Sequence, residues 1–250
     1  MPERSSRTLL QAKHAQMIAA RKFFLLFLFL LTTLVCYPYA EYGGASYYFL
    51  RFMGAAIILL SVYAVSFRRS LLLVAFCLAV PAFLQHTVLH DFDPGLLAIS
   101  RIVLSFVFDV FIVVVIFRRV FSHDKPNAET VFGALCIYLL VGFSFTSVYA
   151  MLADFRPDAF YLDPATNLHQ VPNRFDLIYY SFATMTSVGA AGITPVSGEA
   201  RSLTVIESIL GVLYLAVLIA RLMGAYRSPE QAAHPPKDTA AHEPGKKPAT

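Results

Sequence analysis

Long apolar blocks constrain this chain more than any other feature. They run near Phe23 to Tyr39, Tyr47 to Phe67, Leu71 to Phe83, Leu96 to Phe117, Val131 to Ala153 and Leu203 to Ala225. A helix rising about 1.5 Å per residue needs roughly 20 such residues to cross a hydrocarbon core of about 30 Å. Inside that core every backbone N–H and C=O must bond within the segment, which leaves helices or a closed barrel. The blocks therefore predict an all-α integral membrane protein with six transmembrane helices. The third is the shortest and is interrupted by Pro81. Hydrophobic residues make up 57% of the chain and charged residues 14%, which places it in the polytopic membrane class.

Basic residues orient the spans, because Lys and Arg in short loops stay on the cytoplasmic side. With the N-terminus inside, most of the 20 Lys and Arg fall inside, among them Arg4, Arg7, Lys13, Arg21 and Lys22, then Arg68, Arg69, Arg118, Arg119 and Lys125. The outer loops are acidic instead, with Asp91, Asp93, Asp154, Asp158 and Asp163. The expected location is the cell (inner) membrane, multi-pass, with both termini cytoplasmic and the first span retained instead of cleaved. The same split accounts for the net charge of +4, so the basic residues are read as partners of membrane lipids and not of nucleic acid. Cys36, Cys77 and Cys136 have no metal-ligand spacing and are expected to be free thiols. No nucleophile, acid–base or metal constellation points to an enzyme, and no cofactor is expected.

Four segments follow from the pattern: a cytoplasmic N-terminal segment over 1–22, a four-helix transmembrane domain over 23–120, a second module over 126–226, and a disordered cytoplasmic tail over 227–250. The polar stretch Arg118 to Thr130, with Pro126 and the cap-forming Asp124 and Asn127, marks the boundary between the two membrane modules. The tail carries five prolines and no apolar periodicity. Within the second module the long loop from Asp154 to Ser202 contains an apolar stretch, Phe175 to Val188, too short to span. Asn173 or Arg174 should begin this helix, Asp176 suits the dipole of its first turn, and Gly189 should end it. The module reads as outer helix, re-entrant helix, small-residue loop and inner helix.

Non-helical backbone at membrane depth is tolerated only where protein or a water-filled path covers it. Carbonyl oxygens of such a loop, repeated around a ring of subunits, can replace the water shell of a cation. The residues of the loop, Thr184, Met185, Thr186, Ser187, Val188, Gly189, Ala190, Ala191, Gly192, Ile193, Thr194 and Pro195, align without a gap with the filter of a known family. The chain resembles the pore domain of the tetrameric potassium channels, whose filter reads T-x-T-T-V-G-Y-G-D followed by I-T-P. Tyr179, Tyr180, Ser181 and Phe182 before the loop, and Ala200, Arg201, Glu207 and Gly211 after it, also look like that family. The close resemblance covers Phe175 to Tyr214, and a looser one covers Val131 to Ala225.

The resemblance implies a homotetramer that passes K+ or Na+, with Ser187, Val188, Gly189, Ala190 and Ala191 as ion-coordinating filter. It also implies Thr184, Thr186 and Glu207 as filter support and Gly211 as an inner-helix hinge. The centre of the motif departs from the family: Ala190 stands for tyrosine, Ala191 for the second glycine and Gly192 for aspartate. The family's filter places alternate residues at left-handed angles, which cost a residue with a β-carbon roughly 1–2 kcal/mol. A filter reading SVGAA in place of TVGYG is therefore expected to be wider, less selective for potassium or silent. A non-conducting scaffold or sensor that keeps the channel fold is the alternative. The fourth block has no arginine between Arg101 and Arg118, so no voltage sensor is expected. Glu207, inside the last apolar block, should bond the re-entrant helix through Ser181, Thr184 or a backbone amide. Arg221 lies near the cytoplasmic end of the inner helix as part of a gate; it is expected to snorkel outward instead of ringing the axis.

Overall fold

The computed structural model describes residues 21–37, 45–65, 69–87, 96–122, 128–167, 169–190 and 192–231. The expected N-terminal segment up to residue 20, the centre of the 118–130 boundary, Ala191 and the tail from residue 232 lie outside the described residues. Each apolar block is helical where it is described. Helix α1 covers 21–36, and α2 (Ala45–Val65), α3 (Arg69–Thr87) and α4 (Leu96–Phe121) follow. Next come α5 (Ala128–Phe155), β1 (Phe160–Leu162), α6 (Arg174–Met185), β2 (Ile193–Pro195) and α7 (Gly198–Gln231). The protein is thus mostly helical, and α5 and α7 contain stretches long and apolar enough to cross a membrane. Pro81 lies inside α3, where neighbouring helices can re-satisfy the backbone group that proline leaves open.

The main core is built where α1, α4 and α5 meet. Phe23, Leu26 and Leu30 of α1 pack with Ile112 and Ile116 of α4 and with Ile137 and Leu140 of α5. Gly133 permits the close approach, since a β-carbon there would lie 2.6 Å from Val120 Cγ2. Glu129, in the first turn of α5, is buried at this junction and accepts a hydrogen bond from Arg119 Nε at 2.9 Å. Arg118 and Arg119 occupy the last turn of α4, where the helix dipole favours cations. Tyr214 and Leu218 of α7 pack against the same core. The polar stretch 118–130 therefore divides the sequence while one apolar core runs across it. The three cysteines are free, and the buried Cys136 thiol donates to the Phe23 carbonyl at 3.3 Å.

A second, smaller core lies near the end of α5. Tyr149, Phe160 and Tyr180 meet edge to face with centroids 5.1–5.7 Å apart, an arrangement aromatic quadrupoles favour. It anchors a two-stranded antiparallel ladder in which Phe160 faces Pro195, Tyr161 faces Thr194 and Leu162 faces Ile193. Strand alternation turns Phe160 and Leu162 inward and leaves Tyr161 exposed. The ladder fixes the chain on both sides of α6. Among the described side chains of α7 one stripe is covered: Glu207 and Gly211 are buried, and Tyr214, Leu218 and Arg221 are half-buried. These positions recur at spacings of three and four, which is one helix face. Val205, Ile209, Val212, Leu213, Val217 and Ile219 stand exposed on the others.

Candidate functional site

The site is built around α6. Asn173 starts it with a capping box: its Oδ1 accepts the Asp176 amide at 2.9 Å, and Asp176 Oδ2 accepts the Asn173 amide at 2.8 Å. Two amides that the first turn cannot satisfy are thereby bonded. His169 Nε2 lies 2.9 Å from the same Asp176 oxygen, and Tyr37 at the end of α1 stacks on Phe175.

The helix ends at Met185, four residues before the glycine that should have stopped it. Thr186 is the C-cap, and Ser187 takes the left-handed position with φ +59°. The Ser187 amide donates to the Thr184 carbonyl at 3.0 Å, and the Val188 amide donates to Ala183 at 2.9 Å. This pair of bonds is a Schellman closure. Glycine usually fills the left-handed position because a β-carbon costs roughly 1–2 kcal/mol there, yet here serine does. The Gly189 amide also turns back to Ala183 at 3.1 Å. The amides of 186–189 thus point toward the helix, and among the described residues no backbone donor takes the carbonyls of Ser187, Val188 or Gly189. The partial negative charge of the α6 C-terminus points to the same place.

Behind α6 sits a buried polar knot. Glu207 of α7 is 0% exposed; its Oε1 accepts from Ser181 Oγ at 2.5 Å and its Oε2 accepts from Tyr149 Oη at 2.6 Å. Ser181 Oγ also lies 2.8 Å from the Gly142 carbonyl on α5. One carboxyl group therefore ties the outer helix, α6 and the inner helix together. Two glycines set the spacing. A β-carbon on Gly142 would meet the Phe182 ring at 2.7 Å, and one on Gly211 would meet the Met185 carbonyl oxygen and, at 2.6 Å, Met185 Cγ. Gly211 is thus where α7 presses on the last residue of α6, and α7 runs through it without a break. Thr184 is buried beside this contact and Thr186 is exposed. The Arg221 guanidinium lies 4.6 Å from the Phe121 ring centroid of α4, on the covered side of α7.

Beyond the turn, Ala190 packs half-buried against the second core. Gly192 has φ +85°, and a β-carbon there would run into Thr166 Oγ1 and come within 3.0 Å of Asn167 Nδ2. The glycine that stands where the potassium channels carry aspartate is thus required twice, by backbone angle and by space.

The model of a family described as "Ion channel" matches residues 133–228, the stretch from α5 through α7. That segment is thus similar to the ion channel family. The family consists of channels and not of enzymes. Over 109 residues the chain is 27% identical to the voltage-gated potassium channel Kch of Escherichia coli strain K12. That match covers 44% of this chain and 23% of the relative, so the chain spans about a quarter of that protein. No solved structure matches the chain. The helices of the channel-family segment make this a membrane protein.

Sequence reasoning singled out Ser187, Val188, Gly189, Ala190, Thr184, Thr186, Glu207 and Gly211, and the fold gathers them at the end of α6 and on the α7 face behind it. Arg221 sits apart, at α4. Tyr149, Gly142, Phe121 and the 163–167 turn were missed. The turn carried a readable signal, Asp-Pro-Ala-Thr-Asn; the other three are ordinary helix residues whose partners are distant in sequence.

Proposed function

We propose that this chain is one subunit of a tetrameric channel for monovalent cations, with the filter residues from Ser187 on, 187–190 among those described, facing a common axis in each copy. The observation that carries the reading is the exposed segment at the C-terminus of α6, whose 187–189 carbonyls take no backbone donor among the described residues, inside a stretch that matches the ion channel family. Four such segments supply a ring of oxygens, and four α6 C-termini add negative potential at its centre. The permeant ion is K+ or Na+, with weaker preference for potassium than a standard filter gives. α6 is the re-entrant helix, and α1 to α5 and α7 are the six spans, with both ends of the chain cytoplasmic. The wide apolar surface of α7 suits contact with neighbouring copies and lipid.

The test is a planar-bilayer recording of the purified protein with potassium on one side and sodium on the other. A cation-selective conductance absent from lipid controls is expected, together with a cross-linking ladder that ends at four subunits. A largest species of two, or silence at all potentials, refutes the reading. A non-conducting scaffold is supported by one feature, the Schellman closure that folds 186–188 onto the helix end, and silence in an intact tetramer is its signature.

A further inference from the structure

We infer that Asn167 is a positioning residue that sets the width of the outer mouth, acting through the carbonyl of Gly192; this rests on the channel reading above. Asp163 to Thr166 form a β-turn with Pro164 at its second position. The Thr166 amide donates to the Asp163 carbonyl at 3.1 Å, and Asp163 Oδ1 accepts the Ala165 amide at 3.0 Å. The residue types are those that pre-form such a turn. The Asn167 amide adds a bond to the same Asp163 carbonyl at 3.0 Å, so the turn is stiff without help from outside.

From this base two donors converge on one atom. The Asp163 amide reaches the Gly192 oxygen at 2.9 Å, and Asn167 Nδ2 reaches it at 2.9 Å. Both lone pairs of that carbonyl are then committed to the turn, so it cannot turn to face an ion. On the other side, β2 begins at Ile193 and is held by the ladder to β1. Gly192 is thus gripped between a rigid turn that follows β1 and a strand that pairs with β1. Its left-handed angle and the Thr166 wall leave it no alternative packing. The mouth cannot widen in any subunit without breaking these bonds, and its width decides how much of its water a cation must shed. Asn167 is the replaceable half of the grip, because it acts by its side chain whereas Asp163 acts by its backbone.

The test uses the full chain in lipid, with Asn167→Leu, which is close in size and cannot donate, and Asn167→Gln, which keeps an N–H donor. Hydrogen exchange reads the tether itself. In Asn167→Leu the Asp163 amide should exchange about five- to tenfold faster, as expected for one net hydrogen bond, while α7 amides are unchanged; Asn167→Gln should exchange more slowly than Asn167→Leu. Bilayer recording reads the consequence: permeability to methylammonium relative to potassium should rise at least twofold in Asn167→Leu and fall back in Asn167→Gln. Unchanged exchange overturns the tether. Faster exchange with an unchanged methylammonium ratio in a conducting channel overturns the role in width. A wild type that never conducts sinks the channel reading and that role with it, while exchange still decides the tether.

Discussion

Replacing Glu207 tests the buried knot most directly. Glu207→Ala removes the acceptor of the Tyr149 hydroxyl and one partner of Ser181, which keeps the Gly142 carbonyl. A buried hydroxyl left with no acceptor for its proton costs about 1–3 kcal/mol. The missing side-chain atoms add a cavity where α5, α6 and α7 meet, costing about another 1–2 kcal/mol if the helices relax only in part. The sum is about 3 kcal/mol per chain, or a fall in melting temperature of about 6–12 °C for a chain of this size. Glu207→Gln is the informative control. Its amide carbonyl can accept from Tyr149, and its N–H can donate to Ser181 Oγ, which then donates to Gly142. The knot closes again with a loss under about 1 kcal/mol. The chain has no tryptophan, so melting is followed by far-ultraviolet circular dichroism in detergent, with cross-linking to confirm assembly. Glu207→Ala melting with wild type, or Glu207→Gln falling as far as Glu207→Ala, would refute the knot as the link between these helices.

Further substitutions separate packing from other roles. Gly211→Ala drives a β-carbon into the Met185 carbonyl, so it should destabilise the protein by about 1–3 kcal/mol; a purely hinge-like glycine would alter gating with unchanged melting. Gly192→Asp places a side chain at φ +85° against Thr166, so restoring the aspartate of the potassium channels should lower the melting temperature and not improve selectivity; a stable, more potassium-selective variant would show that the 163–167 turn is not held there. Arg221→Gln removes the contact with Phe121, worth about 0.5–1 kcal/mol where partly exposed. It should leave inward cation current nearly unchanged, whereas a large increase would place the four guanidiniums on the axis.

The start of α6 was legible because its signals are local. Asn173 and Asp176 lie three residues apart and bond each other, which needs nothing from the rest of the fold. Its end was misread because Gly189 was the nearest residue suited to a left-handed stop, while the left-handed position fell on Ser187. Glu207 was expected to bond α6, and Ser181 was among the partners considered; Tyr149, 58 residues away, could not be deduced without the packing of α5. For Arg221 the sequence points to lipid or to the axis, yet the guanidinium lies over a ring from another helix. The Asp-Pro-Ala-Thr-Asn turn could be read as a turn, but not what it touches. Local chemistry is written in neighbouring residues, and tertiary partners are not.

The small residues from 187 to 192 answer to separate constraints, and together they say what a single chain leaves unfinished. Ser187 supplies a left-handed angle at the helix stop, Gly192 supplies one beneath the turn, and Ala190 fills a shallow site at the second core. None of these explains Val188, an apolar side chain 80% exposed at the tip of a helix that is otherwise well covered. Folding alone gives no reason to turn a valine outward between the inward-bonded amides of Ser187 and Gly189. The exposed faces of α7 pose the same question along its length. Under the proposed fourfold ring both have one answer. Neighbouring copies cover Val188 and part of α7, and the carbonyls on either side of Val188 are left to face the axis. The residue that a monomer fails to bury is thus the one that a closed ring needs in order to set those oxygens toward an ion.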